Sequence, residues 1–238
     1  MDMLINGLIW FSIFLLSTTL HEAAHAFAAM RLGDITAYRA GQVTLDPMPH
    51  IRREPVGMVI VPIISFIFNG GQWMLGWASA PYNPEWAQKY PKRAALMALA
   101  GPLANLFLML VAVGGIHLGL YLGLFVEPES IRLAKVVWTA SPGPANLLAT
   151  FVSVLFSLNL VLFIFNLLPL PPLDGSGLFP FIIKEETALR IMNTFHEPGV
   201  NLVGLIVAWL LFDVVFDPVF LMAINLLYPG LSYQPTAV

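Results

Sequence analysis

The sequence predicts an all-α polytopic membrane protein, a transmembrane helix bundle with a re-entrant hairpin and a small β element at the membrane surface. Three observations carry that reading. Apolar residues make up 58% of the 238 and charged residues only 11%, and the mean hydropathy is +0.79, a balance that water-soluble domains of this size do not tolerate. Five apolar stretches, 4–20, 56–80, 94–125, 147–173 and 200–228, are each long enough to consider as spans. The first of them runs without a break into the charged motif His21-Glu22-Ala23-Ala24-His25. Ionisable groups at membrane depth are costly, so such a cluster is a functional site by default.

The stretches can be taken in order. The first begins after Asp2 and stays apolar past any cleavage point, so it reads as a retained helix rather than a signal peptide. Residues 33–47 mix Thr, Val, Tyr and Leu with turn formers, which predicts short strands or a hairpin. In 56–80, Pro62 and the Asn69-Gly70-Gly71 turn leave two halves too short to cross alone. The stretches at 94–125 and 147–173 have the length of full spans, and Pro169, Pro171 and Pro172 stop the latter. The last is interrupted at Asp213 and at Asp217-Pro218, where an N-cap followed by proline would start a new helix and let the chain bend back. The reading is a single unit over 1–238, with a core at 4–175 and a helical region at 176–238.

The composition also excludes function classes. A net charge of −3 with no basic tail argues against nucleic acid, and the absence of cysteine removes disulfides, Cys-ligated zinc and thiol catalysis. Nothing in the sequence specifies an oligomeric state.

On a helix, His21 and His25 at i and i+4 share one face with Glu22 beside them, the arrangement in which two imidazoles hold a metal and a carboxylate acts on its water. The alternative is a pair of core histidines satisfied by neighbours. A zinc held by two His needs a third protein ligand and keeps a fourth position for water. The run Asn166 to Gly175 contains Asp174, the first charge after Lys135, on irregular backbone that membrane depth allows only around protein or a polar cavity. It reads either as part of the same site or as a plain interfacial helix stop, with Asn166 facing a neighbouring helix. His50 lies among prolines and reads as a site-lining or a surface-loop residue, His117 as a packing or interfacial residue, and His196 as a loop residue. Asp213 and Asp217, at i and i+4, offer a second polar site or, for Asp217, the cap just described.

HExxHA near the end of a first span, Ala100-Gly101-Pro102-Leu103-Ala104-Asn105 opening another, and NxxPxPPLDG over Asn166 to Gly175 resemble the site-2 protease family of intramembrane zinc metalloproteases, peptidase family M50. Gly76-Trp77-Ala78 with Asn83-Pro84 resembles a bacterial and archaeal branch of it. The sequence shows neither an inserted PDZ domain nor a CBS module, and the stretch 56–80 is extra to the minimal family core. The resemblance implies one Zn²⁺ per chain with His21, His25 and Asp174 as ligands, Glu22 as general base, and Asn166 near the substrate or developing oxyanion. It implies a transmembrane protein substrate and a location in the lipid bilayer of the cell (plasma or inner) membrane.

Geometry and charge then constrain topology. For His25 and Asp174 to meet, the first stretch and 147–173 must run the same way, with an odd number of crossings between them. If 56–80 is a re-entrant hairpin, 94–125 supplies the single crossing. Arg31, Arg39, Arg52, Arg53, Lys89, Lys92, Arg93, Lys184 and Arg190 then lie on one face and only Arg132 and Lys135 on the other, nine against two. With every stretch spanning, the split is six against five. The positive-inside rule therefore favours the hairpin, with the site toward the cytoplasm and the side of the C-terminus left open.

The function expected is hydrolysis of peptide bonds in or near transmembrane segments, with strand addition at the edge of 33–47 holding unwound substrate and the 56–80 hairpin as a gate. The competing classes are a membrane metal transporter, which lacks the internal repeats expected of a carrier and has no use for Glu22, and a catalytically silent protease-like scaffold, against which the intact HEAAH and LDG argue.

Overall fold

A computed structural model describes residues 3–140, 143–195, 197, 199–231 and 233. His196 lies outside these residues, as does the side chain of Asp213. Among the described residues, three helices are long and apolar enough to cross a membrane: α1 (Met3–Leu32), which has no proline, α6 (Pro91–Tyr121) and α7 (Ala145–Leu167). Between α1 and α6 come α2 (Thr36–Arg39), α3 (Pro47–Arg53), α4 (Val61–Phe68) and α5 (Pro84–Lys89). After α7 come a 3₁₀ turn at Asp174–Leu178, α8 (Phe179–Ile182), α9 (Glu185–Phe195) and α10 (Val200–Leu227).

The three long helices pack on one another around a core that includes Trp10, Ile13 and Phe14 of α1, Leu108, Ala112 and Ile116 of α6, and Val154, Phe156 and Leu160 of α7. Helix α6 runs antiparallel to its neighbours. His25 faces Met97 while His21 faces Asn105, and along α7 Asn105 faces Asn159 while Gly115 lies against the earlier Val152. Helices α1 and α7 therefore run the same way, as the single-crossing reading requires. The register is pinned at one end by Arg93, which donates to the Leu32 carbonyl at 3.2 Å and so caps the C-terminus of α1. At the other end the 122–144 loop is tied down by the Ser153 hydroxyl, which accepts from the Val136 and Val137 amides.

Residues 56–80 form a hairpin of unequal arms. Pro62 has no N–H to give, and a π-helical turn at Val56–Ile60 precedes α4. Gly70 and Gly71 turn the chain with positive φ, 62° and 78°. The return over 73–83 has no helix, and its backbone is held locally by Ser65 Oγ to Leu75 and by Trp77 N to the Gly57 carbonyl. The arms can close because Gly57 and Gly76 lack side chains: a Cβ on Gly57 would lie 2.7 Å from Trp77 Nε1, and one on Gly76 would lie 2.7 Å from Pro62 Cγ. The tip reaches the start of α1, where Asn6 donates to the Gly71 carbonyl at 2.6 Å.

Two expectations are corrected. No strand forms in 33–47. Asp34 instead accepts from the Thr36 amide (2.9 Å) and hydroxyl (2.5 Å), α2 follows, and Asp46 caps α3 by accepting from Met48 N, with Pro47 in its first turn. Among the described residues the β-type pairings are the isolated bridges Val126 to Trp138 and Arg132 to Lys135. A substrate strand added at 33–47 is thereby overturned. The last stretch does not restart at Asp217-Pro218 either. Helix α10 runs unbroken through Pro218, from Gly204 packed against Pro171 to Tyr228, whose hydroxyl donates to the Val136 carbonyl at 2.7 Å. It therefore lies antiparallel to α7 along its whole length rather than bending back.

Candidate metal centre

The second half of α1 carries His21, Glu22 and His25 into the bundle, and all three are buried. Asp174 reaches the same point from the far end of α7. Helix α7 ends at Leu167, Leu168 to Leu173 turn the chain, and Asp174 opens the 3₁₀ turn. His21 Nε2 and His25 Nε2 stand 3.0 Å apart, and Asp174 Oδ2 lies 3.1 Å from the first and 3.3 Å from the second.

The hydrogen bonds behind these atoms say what they are. His25 Nδ1 stands 2.7 Å from the Met97 carbonyl and His21 Nδ1 stands 2.6 Å from Asn105 Oδ1. Both partners are acceptors, so in the neutral rings both Nδ1 atoms carry the hydrogen and both Nε2 atoms present lone pairs. Asp174 Oδ2 is buried and receives no hydrogen bond. Three electron-rich atoms thus face one another within 3.3 Å. One added proton relieves one such contact, whereas a cation among them relieves all three. Tetrahedral zinc with bonds of about 2.0–2.1 Å sets neighbouring ligand atoms about 3.3–3.4 Å apart, which the observed triangle approaches. Gly101 leaves the room: a Cβ there would lie 2.6 Å from His21 Nε2 and nearer still to His25 Nε2.

The other residues singled out from the sequence are placed elsewhere. Asn166, in the last turn of α7, donates to the Leu162 carbonyl of its own helix at 3.0 Å. His50 is neither a loop residue nor exposed: it sits buried in α3, with Nε2 3.1 Å from the Thr44 carbonyl. His117 is exposed on α6. Sequence reasoning assigned no role to Asn105, which it named only within the Ala100–Asn105 motif, and passed over Asn159 and Ser17; all three are wholly buried beside His21. The available signal was polarity within apolar helices, the same signal that marked the HExxH motif.

Fold and site together define the class as a polytopic α-helical membrane protein with a buried His-His-Asp constellation on and beside an HExxH helix. Within that class the chain belongs to peptidase family M50, whose sequence profile matches residues 9–211. It is 35% identical over 188 residues to the proposed zinc metalloprotease YwhC of Bacillus subtilis (strain 168), covering 79% of this chain and 68% of the relative. It is 32% identical over 173 residues to the proposed zinc metalloprotease Rip2 of Mycobacterium tuberculosis (strain ATCC 25618 / H37Rv), covering 73% of this chain and 56% of the relative. The chain thus spans little more than half the length of Rip2. No solved structure matches it at a significant level.

Proposed function

We propose that this protein is an intramembrane zinc metalloprotease that hydrolyses peptide bonds in or near transmembrane segments of membrane proteins, with one zinc held by His21, His25 and Asp174. The convergence of three electron-rich atoms, two from α1 and one from beyond α7, carries the proposal. Bound there, zinc would lower the pKa of a water toward neutrality and polarise the scissile carbonyl. Glu22 is the base: its place on the same helix turn as His21, buried with the site, suits it to take a proton from water and return it to the leaving amine. A substrate helix keeps its amide hydrogen bonds internal, so it must unwind to present a scissile amide, and water must reach the site. Assignment of Asn166 to substrate contact rests on the family resemblance, and in this conformation its amide is engaged by Leu162.

The nine Lys and Arg residues on the site's side of the three long helices, against Arg132 and Lys135 opposite, support an orientation with the site toward the cytoplasm of a cell membrane. Glu22→Gln tests the reading. It should keep the helices and the zinc while cleavage of a transmembrane substrate falls by more than a hundredfold. Activity within tenfold of wild type removes Glu22 from the role, and a metal carrier would be indifferent to the change.

A further inference from the structure

The side chain of Asn159, in the middle of α7, is wholly buried. Its Nδ2 stands 2.8 Å from the Leu155 carbonyl one turn earlier and 2.9 Å from Ser17 Oγ on α1. A backbone carbonyl only accepts, so the amide must present its N–H₂ to Leu155 and its Oδ1 away from it. That oxygen stands 2.9 Å from the Asn105 amide nitrogen. Asn105 is thereby oriented in turn, with Nδ2 toward α7 and Oδ1 toward His21 Nδ1 at 2.6 Å. An amide oxygen cannot donate, so Nδ1 of His21 keeps the hydrogen and Nε2 is left bare. For His25 the Met97 carbonyl fixes the same outcome directly.

We propose that Asn159 is a positioning residue of the metal site, which sets the tautomer of His21 through Asn105 and so holds Nε2 ready as a ligand. The inference rests on the reading of His21 as a ligand. Its logic is polarity, since an asparagine amide can turn over and offer either end. Without Asn159, the one further contact that orients Asn105 is a 3.4 Å approach of its Nδ2 to the Ser17 carbonyl, at the limit of a hydrogen bond. A turned Asn105 would present N–H to Nδ1 and drive the hydrogen of His21 onto Nε2, where it blocks coordination. Partners behind a metal-binding histidine typically change metal affinity by about 10- to 100-fold, and a residue one step further back should fall at the low end, about tenfold.

The experiment uses the full chain in detergent, with circular dichroism to verify the helices of each variant. Two quantities are read: zinc affinity by chelator competition, and the ¹⁵N spectrum of histidine-labelled protein stripped of metal, with His21 assigned by its own substitution. Wild type should bind zinc and show His21 as the Nδ1–H tautomer. Asn159→Leu, close in size and apolar, should lose about tenfold in affinity and populate the Nε2–H tautomer. Adding Asn105→Asp to that variant should restore both, because a carboxylate accepts from Nδ1 whichever way it turns. A packing role alone predicts no such rescue. Unchanged tautomer and affinity in Asn159→Leu, or a double variant no better than the single, overturns the inference while leaving the zinc site intact. A wild-type chain that binds no zinc through His21 overturns the proposed function itself.

Discussion

Gly101→Ala should empty the metal site without unfolding the protein. A Cβ at this position would lie 2.6 Å from both His21 Nε2 and His25 Cε1, and nearer than that to His25 Nε2. Ordinary contact between such atoms needs about 3.5 Å, so the imidazoles or α6 must retreat by about 1 Å. The ligand triangle has edges of 3.0 to 3.3 Å, and a displacement of that size opens it beyond the reach of one zinc. Alanine gains up to about 1 kcal/mol over glycine in a helix interior, which offsets part of the roughly 1–3 kcal/mol typical of overpacking. The fold should therefore survive with its helicity unchanged. Gly114 on the same helix is the control, because a Cβ there meets no atom within 4 Å. Zinc per chain by mass spectrometry, with affinity by chelator competition, should show a loss of more than a hundredfold for Gly101→Ala and none for Gly114→Ala. Wild-type affinity in the Gly101 variant would mean that the ligand atoms do not meet against α6.

Two further predictions concern the loops and the topology. Burial alone would raise the Asp34 carboxyl, but hydrogen bonds from the Thr36 hydroxyl and from the amides of Asn83 and Thr36 outweigh it and hold the group below the usual carboxylate range. With the folded pKa below the unfolded value of about 3.9, the stabilisation is present above that pH and is lost as pH falls toward the folded value. The protection of the Asn83 amide, measured against its intrinsic exchange rate at each pH, should therefore fall on acidification below about pH 4 in wild type, and be lost already at neutral pH in Asp34→Ala. An Asn83 amide protected equally in both proteins would remove Asp34 as its anchor. Because the chain has no cysteine, Glu85→Cys and Ser130→Cys can be labelled singly with a membrane-impermeant reagent, and they should react from opposite faces, with position 130 outside. Labelling of position 85 from the outside would mean that residues 56–80 cross completely.

The site was legible where chemistry broke the apolar pattern. HExxH stands out because charge sits in a membrane-length helix, and Asp174 because it ends a long uncharged run among prolines. The hairpin was legible from Pro62 and Gly70-Gly71, residues whose backbone limits act locally. The failures came from signals that depend on context. Asp46-Pro47 starts α3, yet the same dipeptide at Asp217-Pro218 lies inside α10. What separates them is tertiary: α10 packs against the Asp174 loop at one end, through Gly204 and Ala208, and against the 122–144 loop at the other, through Tyr228. Residues 33–47 look like strand formers one by one, but the side chains of Asp34 and Asp46 take up the backbone N–H groups that a strand would need to pair. Asn105 and Asn159 stand out locally as polar residues in apolar helices, but the role proposed for them needs three helices in place, and the sequence does not state it.

Zinc K-edge X-ray absorption on the purified protein tests the central claim most directly. The account predicts a first shell of four nitrogen or oxygen atoms at about 2.0–2.1 Å, with outer-shell scattering from two imidazoles. That scattering should drop to one imidazole or vanish in His25→Ala. A six-coordinate oxygen shell, or a spectrum unchanged by that substitution, would contradict a zinc held by His21, His25 and Asp174.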